Sequence, residues 1–553
     1  MGWLDGRHES CMKLGAVNML SRRALIAVSI TVCALIVLAL SSSRLGEWTA
    51  AGLNYKHLPP HHPAPAGHPG HPHKLPPVGD NDHVAPSDDD EAPDVIDTPI
   101  VPDTKAKEDP PNAPDTKAKE DPPKEPAANG LFFRPKDPVC DSFPDTSNIL
   151  LVMKTGATEA FNRVPTQLMT MLKCVPEYFI FSDLAQTIGG YQIRDSLDTF
   201  LAAAMDGNKD FDLYRRQQAC AVDQESCNKL AEDKNEGWNL DKYKNVHIAE
   251  KTFNMRPNYE WYIFVDADTY VLWPTLVQWL KRLDPRKKHY LGSVTMLHGF
   301  SFGHGGSGYI VSHAAMKEMV ADHPGVANQF DTQIQQECCG DYIFARALDN
   351  TTQTRVRNTW PTINGEKPFT LPFGSDHWCH PIVTMHHMNS EEISTFWEYE
   401  SRRYAAQDMP STPPALRIKD IYYEFVKPRL RDSIDDWHNL SDDRFYFVET
   451  PGGRQFGEHE KGRVKTEELT ELEKRAHLSF DDCRAACDEI PGCFQFHFDD
   501  GLCAVSWSFK MGHPIKKEEE DTKRMRSGWN LNRINAFIKQ AGDCGDVKWP
   551  EVS

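Results

Sequence analysis

Trp261-Tyr-Ile-Phe-Val-Asp-Ala-Asp-Thr-Tyr-Val-Leu-Trp273 decides how this chain is read. An apolar run leads directly into Asp266 and Asp268. In an extended chain residues i and i+2 point to the same side, so the two carboxylates share a face. Hard oxygen donors at the carboxyl end of a buried strand suit a divalent cation together with a nucleotide diphosphate. Two acids at a strand end also have an ordinary reading, with both side chains turned to water. A D-x-D alone does not separate the two. The context favours the first: Trp-Tyr precedes the acids, and His289-Tyr-Leu-Gly292 and Phe302-Gly-His-Gly-Gly-Ser-Gly-Tyr-Ile-Val-Ser312 follow them.

In that order the segments resemble the Fringe and core 1 β1,3-galactosyltransferase superfamily. Its members read W-[FY]-x-x-x-D-D-D-T-Y-V, then Y-x-G, then G-G-[SA]-G-Y-x-x-S. The resemblance runs from about Asn148 to about Glu400 and points to the fungal, secretory-pathway branch. It implies an α/β domain of the GT-A nucleotide-sugar transferase type, with manganese as cofactor. The implied reaction is an inverting transfer of a hexose, galactose first among the candidates, from a UDP-sugar to a glycan or glycoprotein acceptor in β1,3 linkage.

The resemblance also assigns residues. Asp268 falls on the metal ligand, and Asp266 on the position that helps hold metal and sugar nucleotide; Ala267 replaces the middle Asp of many members. Pro381-Ile-Val-Thr-Met-His-His-Met388 is similar to a late strand of the form [ST]-F-H-x-[VL], which makes His386 a metal ligand with His387 beside it. Neutral imidazole is a sound partner for carboxylate at manganese. Cys338-Cys-Gly-Asp-Tyr-Ile-Phe-Ala-Arg-Ala-Leu348 corresponds to the helix start [ED]-D-x-x-[LF]-G, placing Asp341 as the base that takes the acceptor proton. Gly340 and Ala345 depart from that pattern. An Asp at a helix start is equally suited to capping. Thr155 and Gly156, after the first strand, are donor-site candidates, with Arg163 and Asp183 behind them. Gly305 and Gly306 line the implied donor and acceptor pocket, in a glycine string that lacks the G-K-[ST] of a P-loop. Trp360 and Trp378 are candidates either for stacking on a sugar or for the core.

The rest of the chain sets the surroundings. Its 553 residues suggest several domains, and its net charge of −19 argues against nucleic-acid binding. Residues 1–23 read as a cytosolic tail and 24–43 as a transmembrane signal anchor, with Arg22 and Arg23 on the cytosolic side. A cleaved signal peptide is the rival reading. Residues 44–129, rich in Pro, His, Asp and Lys, read as a disordered stem in which Pro-Asp-Thr-Lys-Ala-Lys-Glu-Asp-Pro-Pro occurs twice. This layout is that of a single-pass type II Golgi membrane protein with a luminal catalytic body. Of the 14 Cys, all but Cys11 and Cys33 fall beyond the anchor, where disulfides are expected. Asn350-Thr-Thr352 and Asn439-Leu-Ser441 are glycosylation sequons.

The transferase domain is expected over 140–430, followed by a linker over 431–470. Residues 471–545 contain a C-x3-C-x5-C-x9-C segment, Cys483 to Cys503, that resembles the PAN/apple module. Zinc is the other reading of four close cysteines. Two further functional readings stand beside the enzyme: a non-catalytic relative acting as a luminal chaperone, and a carbohydrate- or protein-binding membrane protein working through the PAN-like module.

Overall fold

The computed structural model describes residues 138–229, 235–405, 413–465, 467–520 and 523–552. The expected tail, anchor and stem lie outside these residues. Among the described residues no helix is long and apolar enough to cross a membrane.

The first sheet is assembled from β1 (Ile149–Lys154), β2 (Tyr178–Ser182), β3 (Gln186–Ile188), β4 (Tyr191–Asp195) and β5 (Trp261–Asp266). After β5 come β6 (Tyr270–Val271), β7 (Tyr290–Gly292), the hairpin β8 (Val294–Leu297) and β9 (Phe300–Gly303), then β10 (Tyr309–Ser312), β11 (Arg357–Asn358) and β12 (Thr384–Met385). The eight-stranded order is β11-β7-β10-β5-β1-β2-β4-β3. β1 runs parallel to β2 and β5, while β10 is antiparallel to β5 and β7. The α/β expectation is met by this mixed sheet, with helices packed on it.

Both faces of the central strands are covered, which is why β1 and β5 read as continuous apolar runs. Ile149, Leu151 and Met153 of β1, with Trp261, Ile263 and Val265 of β5, belong to one core. Leu150, Val152, Tyr262 and Phe264 belong to the other. The longer helices are α1 (Ala160–Met169), α2 (Asn245–Met255), α3 (Trp273–Leu280), α4 (His313–Val320), α5 (Gly340–Thr352) and α6 (Ser390–Ala405). Those of α2, α4 and α5 cover the second core, and α3 and α6 the first. With the parallel strands β1, β2 and β5 ending on the same edge, the loops beyond Lys154, Ser182 and Asp266 are brought together.

The expected linker is a different object. Residues 431–470 supply β13 (Ser433–Asp435), β14 (Trp437–His438) and β15 (Arg444–Tyr446). These pair with strands far downstream: β16 (Gln495–Asp499), β17 (Leu502–Ser506), β18 (His513–Pro514) and β19 (Arg526–Trp529) complete a five-stranded sheet β13-β19-β16-β17-β15 and a β14-β18 pair. Strands of two or three residues carry no legible periodicity, so only their distant partners reveal them. Helix α7 (Phe480–Glu489) is stapled to this sheet by Cys483–Cys503 and to the turn after it by Cys487–Cys493, with α8 (Leu531–Ala541) closing the chain. The four cysteines are thus disulfide-bonded rather than gathered on zinc.

This C-terminal part is fused to the α/β domain. Phe373 and Phe509 exchange two backbone hydrogen bonds of 2.8 and 2.9 Å. Gly512 N–H donates to Phe369 O (2.7 Å), and Met511, Trp529 and Ile534 sit in the same core as β1. Cys379–Cys544 ties the segment before β12 to the chain end. The remaining pairs are Cys140–Cys174, Cys220–Cys227 and Cys338–Cys339, so every cysteine beyond Cys33 is bonded.

Two predictions follow from burial. Asn439 is fully buried, and its Nδ2 donates to Phe496 O (2.9 Å) and Gly528 O (3.3 Å), so this sequon cannot carry a glycan in the folded chain, contrary to the expectation from sequence. Asn350 is exposed near the end of α5. Glycopeptide mass spectrometry of protein from a secretory host should find glycan at Asn350 and none at Asn439; occupancy of Asn439 would contradict the fold there.

The second concerns Glu400 of α6, 2% exposed, which accepts a hydrogen bond from Tyr270 Oη. Burial pushes its carboxyl up to about 7. A raised folded value means the protonated form is favoured by folding; that stability is complete below about 4.5 and is lost as pH rises through about 7. Glu400→Gln does not titrate and keeps an acceptor for Tyr270. Its stability advantage over the parent in urea unfolding should therefore grow by up to about 3 kcal/mol between pH 4.5 and pH 8. A pH-independent difference would refute the assignment.

Candidate active site

At the joint end of β1, β2 and β5 lies a chain of alternating charges. Lys244, just before α2, contacts Asp183 (3.0 Å) and Asp241 (3.3 Å); the Lys244 and Asp183 side chains are 1% and 2% exposed. Lys154, the last residue of β1, bridges Asp241 and Asp266, the latter at 3.3 Å. Burial opposes the Lys154 charge, but Asp241 and Asp266 overcome it and raise its pKa. Asp183 also accepts Ala157 N–H (2.9 Å), and Lys244 donates to Thr155 O (3.0 Å). The loop containing Thr155 and Gly156 is thereby anchored to the ladder. Asp183 enters the site through this pairing.

Asp268, two residues past β5, turns the other way. Its Oδ1 lies 3.2 Å from His386 Nδ1, and its Oδ2 lies 3.8 Å from Arg163 Nη1. Burial opposes its charge, but the hydrogen bond and charge of His386, with Arg163, depress its pKa far below the usual carboxylate range. His386 is buried; the same contacts raise its pKa against that burial. Asp268, His386 and His387 offer ligand atoms that all lie within 4.8 Å of one another. Carboxylate plus imidazole is a donor set that fits manganese or a similar divalent ion. Asp266 stays with Lys154 and is not in that cluster.

His386 is placed by backbone on every side. β12 pairs with β6, His386 N–H donates to Glu366 O (3.2 Å), and Thr269 Oγ1 lies 3.1 Å from its Nδ1 while donating to Gly306 O (2.7 Å). A Cβ on Gly306 would fall 2.2 Å from His386 Nε2, so the ring occupies space that only glycine leaves.

Asp341 is the second residue of α5 and the N-cap is Cys339, so the acid is not the N-cap residue. Its Oδ2 accepts Gly305 N–H (2.7 Å) and its Oδ1 accepts Tyr342 N–H (2.8 Å). Burial pushes its carboxyl up to about 6, with these hydrogen bonds and Lys154 pulling the other way. Such a group is ionised near neutrality yet basic enough to take a proton. Gly340 replaces the acid of the resembling pattern for a steric reason: a Cβ there would lie 2.5 Å from Lys242 O and Asn245 Oδ1.

Sequence reasoning named Thr155, Gly156, Asp266, Asp268, Gly305, Gly306, Asp341 and His386, and all border this edge of the sheet. It missed Lys154, Asp241 and Lys244. A lysine ending a buried apolar strand was the one visible signal. Trp378 is 1% exposed and packs on Tyr422 and Phe537, so it is core; Trp360 is 43% exposed.

Residues 145–358 match the model of the Fringe-like family. The match takes in β1 to β11 with Asp266, Asp268, Gly305, Gly306 and Asp341, and ends before His386. Fringe-like domains are glycosyltransferase domains, and this part of the chain is similar to them. No curated protein matches the chain.

Gly306→Ala should displace His386 and weaken divalent-cation binding by roughly 10–100-fold, the usual scale for a disturbed ligand support. Manganese titration followed by electron paramagnetic resonance reads this directly. Unchanged affinity in a folded variant would dissociate His386 from the metal.

Proposed function

We propose that the chain is a metal-dependent, inverting UDP-sugar glycosyltransferase that moves a hexose, galactose first among the candidates, to a glycan or glycoprotein acceptor in β1,3 linkage. The observation that carries this is the meeting of Asp268 with His386 and His387 at the edge of a Fringe-like domain that also places Asp341. A UDP-sugar donor and a manganese-like ion are the ligands this reading requires. The Golgi lumen and a type II anchor fit the disulfide-bonded body and the apolar segment 24–43.

Asp268, His386 and His387 would hold the ion, which when bound neutralises the departing diphosphate. Arg163 beside Asp268 and Lys154 beside Asp266 fix the two carboxylates in place, since each is held by a cation. Asp341 accepts the proton of the attacking acceptor hydroxyl. Gly305 N–H holds one of its oxygens and leaves lone-pair capacity for that proton. The carboxylates Asp183, Asp241, Asp266, Asp268 and Asp341 outnumber Lys154, Lys244 and Arg163, a balance that favours a bound cation over a bare diphosphate. The C-terminal sheet with its stapled α7 is read as a PAN/apple-like module, built into the transferase body rather than tethered to it.

Asp341→Asn keeps the acceptor for Gly305 N–H while losing basicity. It should retain near-parental thermal stability and manganese-dependent UDP affinity, with kcat lower by roughly 10²–10⁴-fold. In the parent, kcat/KM should fall as pH drops through about 6, because protonation disables the base. Asp268→Asn should instead abolish manganese-dependent UDP binding. Near-parental transfer by Asp341→Asn would remove Asp341 from the mechanism. Unaltered manganese dependence in Asp268→Asn would remove the metal site.

A further inference from the structure

We propose that Trp360 is the platform on which a sugar ring of the acceptor stacks, an inference that rests on the transferase reading. Its basis is the glycine string Gly303–Gly308, in which three successive residues each meet a different wall of the site. Gly306 makes room for His386, and Gly305 N–H binds Asp341. His304 N–H donates to Ser293 O (2.8 Å), at the foot of the β8–β9 hairpin. The next residue, Val294, donates its N–H to Asn358 Oδ1 (3.3 Å), and the same oxygen accepts Trp360 N–H (3.2 Å). Trp360 is thereby joined to the rim that continues past the base and the metal ligands.

The segment that follows Trp360 runs beside β12 and His386. Val383 N–H donates to Thr362 O (2.7 Å), Asn364 N–H to Thr384 Oγ1 (3.0 Å), and His386 N–H to Glu366 O (3.2 Å). Trp360 and His386 therefore stand at two ends of one hydrogen-bonded wall. The His377 ring packs perpendicular to the indole, 4.6 Å between centroids and 87° between planes. Burial lowers the pKa of His377, so the ring that supports the indole is neutral.

An indole fixed in this way and left 43% exposed is unusual among the tryptophans nearby; Trp261, Trp273, Trp279 and Trp378 are all buried. A hexose offers a face of C–H groups with hydroxyls at its edge. Such a face covers an aromatic ring without stranding polar groups, and the electron-rich ring face attracts the C–H dipoles. The ligand class is a pyranose of the acceptor glycan. In that reading the donor's diphosphate would be held at the other end of the wall, beside Asp268, His386 and His387.

The test compares the full-length parent with Trp360→Ala and Trp360→Tyr, using p-nitrophenyl α- and β-hexopyranosides as acceptor probes with manganese and UDP-galactose. UDP release is followed against glycoside concentration, alongside UDP affinity and glycoside-independent UDP release; glycoside binding is also titrated by tryptophan fluorescence. Trp360→Ala should raise the half-saturating glycoside concentration about tenfold or more, and Trp360→Tyr should restore most of it. UDP affinity and glycoside-independent release should stay at parental values in both. An unchanged half-saturation in Trp360→Ala, an equal loss of UDP affinity, or a parent that binds UDP yet saturates with none of the glycosides in either readout would overturn the proposal for Trp360 alone. A parent that binds no UDP with manganese would overturn the transferase reading, and this proposal with it.

Discussion

Buried charge must be paired, and the ladder Asp183–Lys244–Asp241–Lys154–Asp266 is where this chain meets that constraint. It crosses the ends of three parallel strands, and its five members come from four separate stretches of sequence, Asp241 and Lys244 sharing one. Deleting Lys244 would leave the buried Asp183 carboxylate without its cation, a loss of about 3–5 kcal/mol. Such an arrangement is poor value as stability alone, because apolar side chains would pack the same volume at less cost. It makes sense as a scaffold for orientation. With Asp266 held by Lys154, Asp268 two residues later is free to face His386.

The second determinant is the absence of side chains. Gly306 and Gly340 each lie where a Cβ would collide with a functional or supporting group. The glycine string behaves as a hub because backbone N–H groups and empty space, rather than side chains, contact Asp341 and His386. A few consecutive residues thereby position Asp341 and His386, which come from segments some forty residues apart. The C-terminal sheet extends the same logic at longer range. Cys379–Cys544 and the Phe373–Phe509 bridge hold the loop that feeds β12, so the chain end helps place His386.

Much of this was legible in the sequence for definable reasons. β1, β2 and β5 are buried on both faces, which leaves unbroken apolar runs, and charge at their ends marks the site edge. The pairing of Asp268 with His386 and the position of Asp341 came from motif order, not from periodicity. The ladder was not legible, since Asp241 and Lys244 sit in no pattern and their roles arise only from proximity. The strands within 431–470 were hidden by their shortness and by partners some sixty to ninety residues away. Trp360 and Trp378 were indistinguishable until burial separated them, and Asn439 looked like a sequon until its amide proved to be a rung of the fold.

The central claim is that Asp268 and His386 share a divalent cation at the end of β5. Anomalous X-ray scattering at the manganese edge, from crystals grown with manganese and UDP, tests it without reliance on any acceptor. The account predicts one strong anomalous peak bonded to Asp268 and to His386 or His387, with the UDP diphosphate completing the shell. A peak held by other residues, or UDP bound in this cleft with no metal beside Asp268, would contradict it.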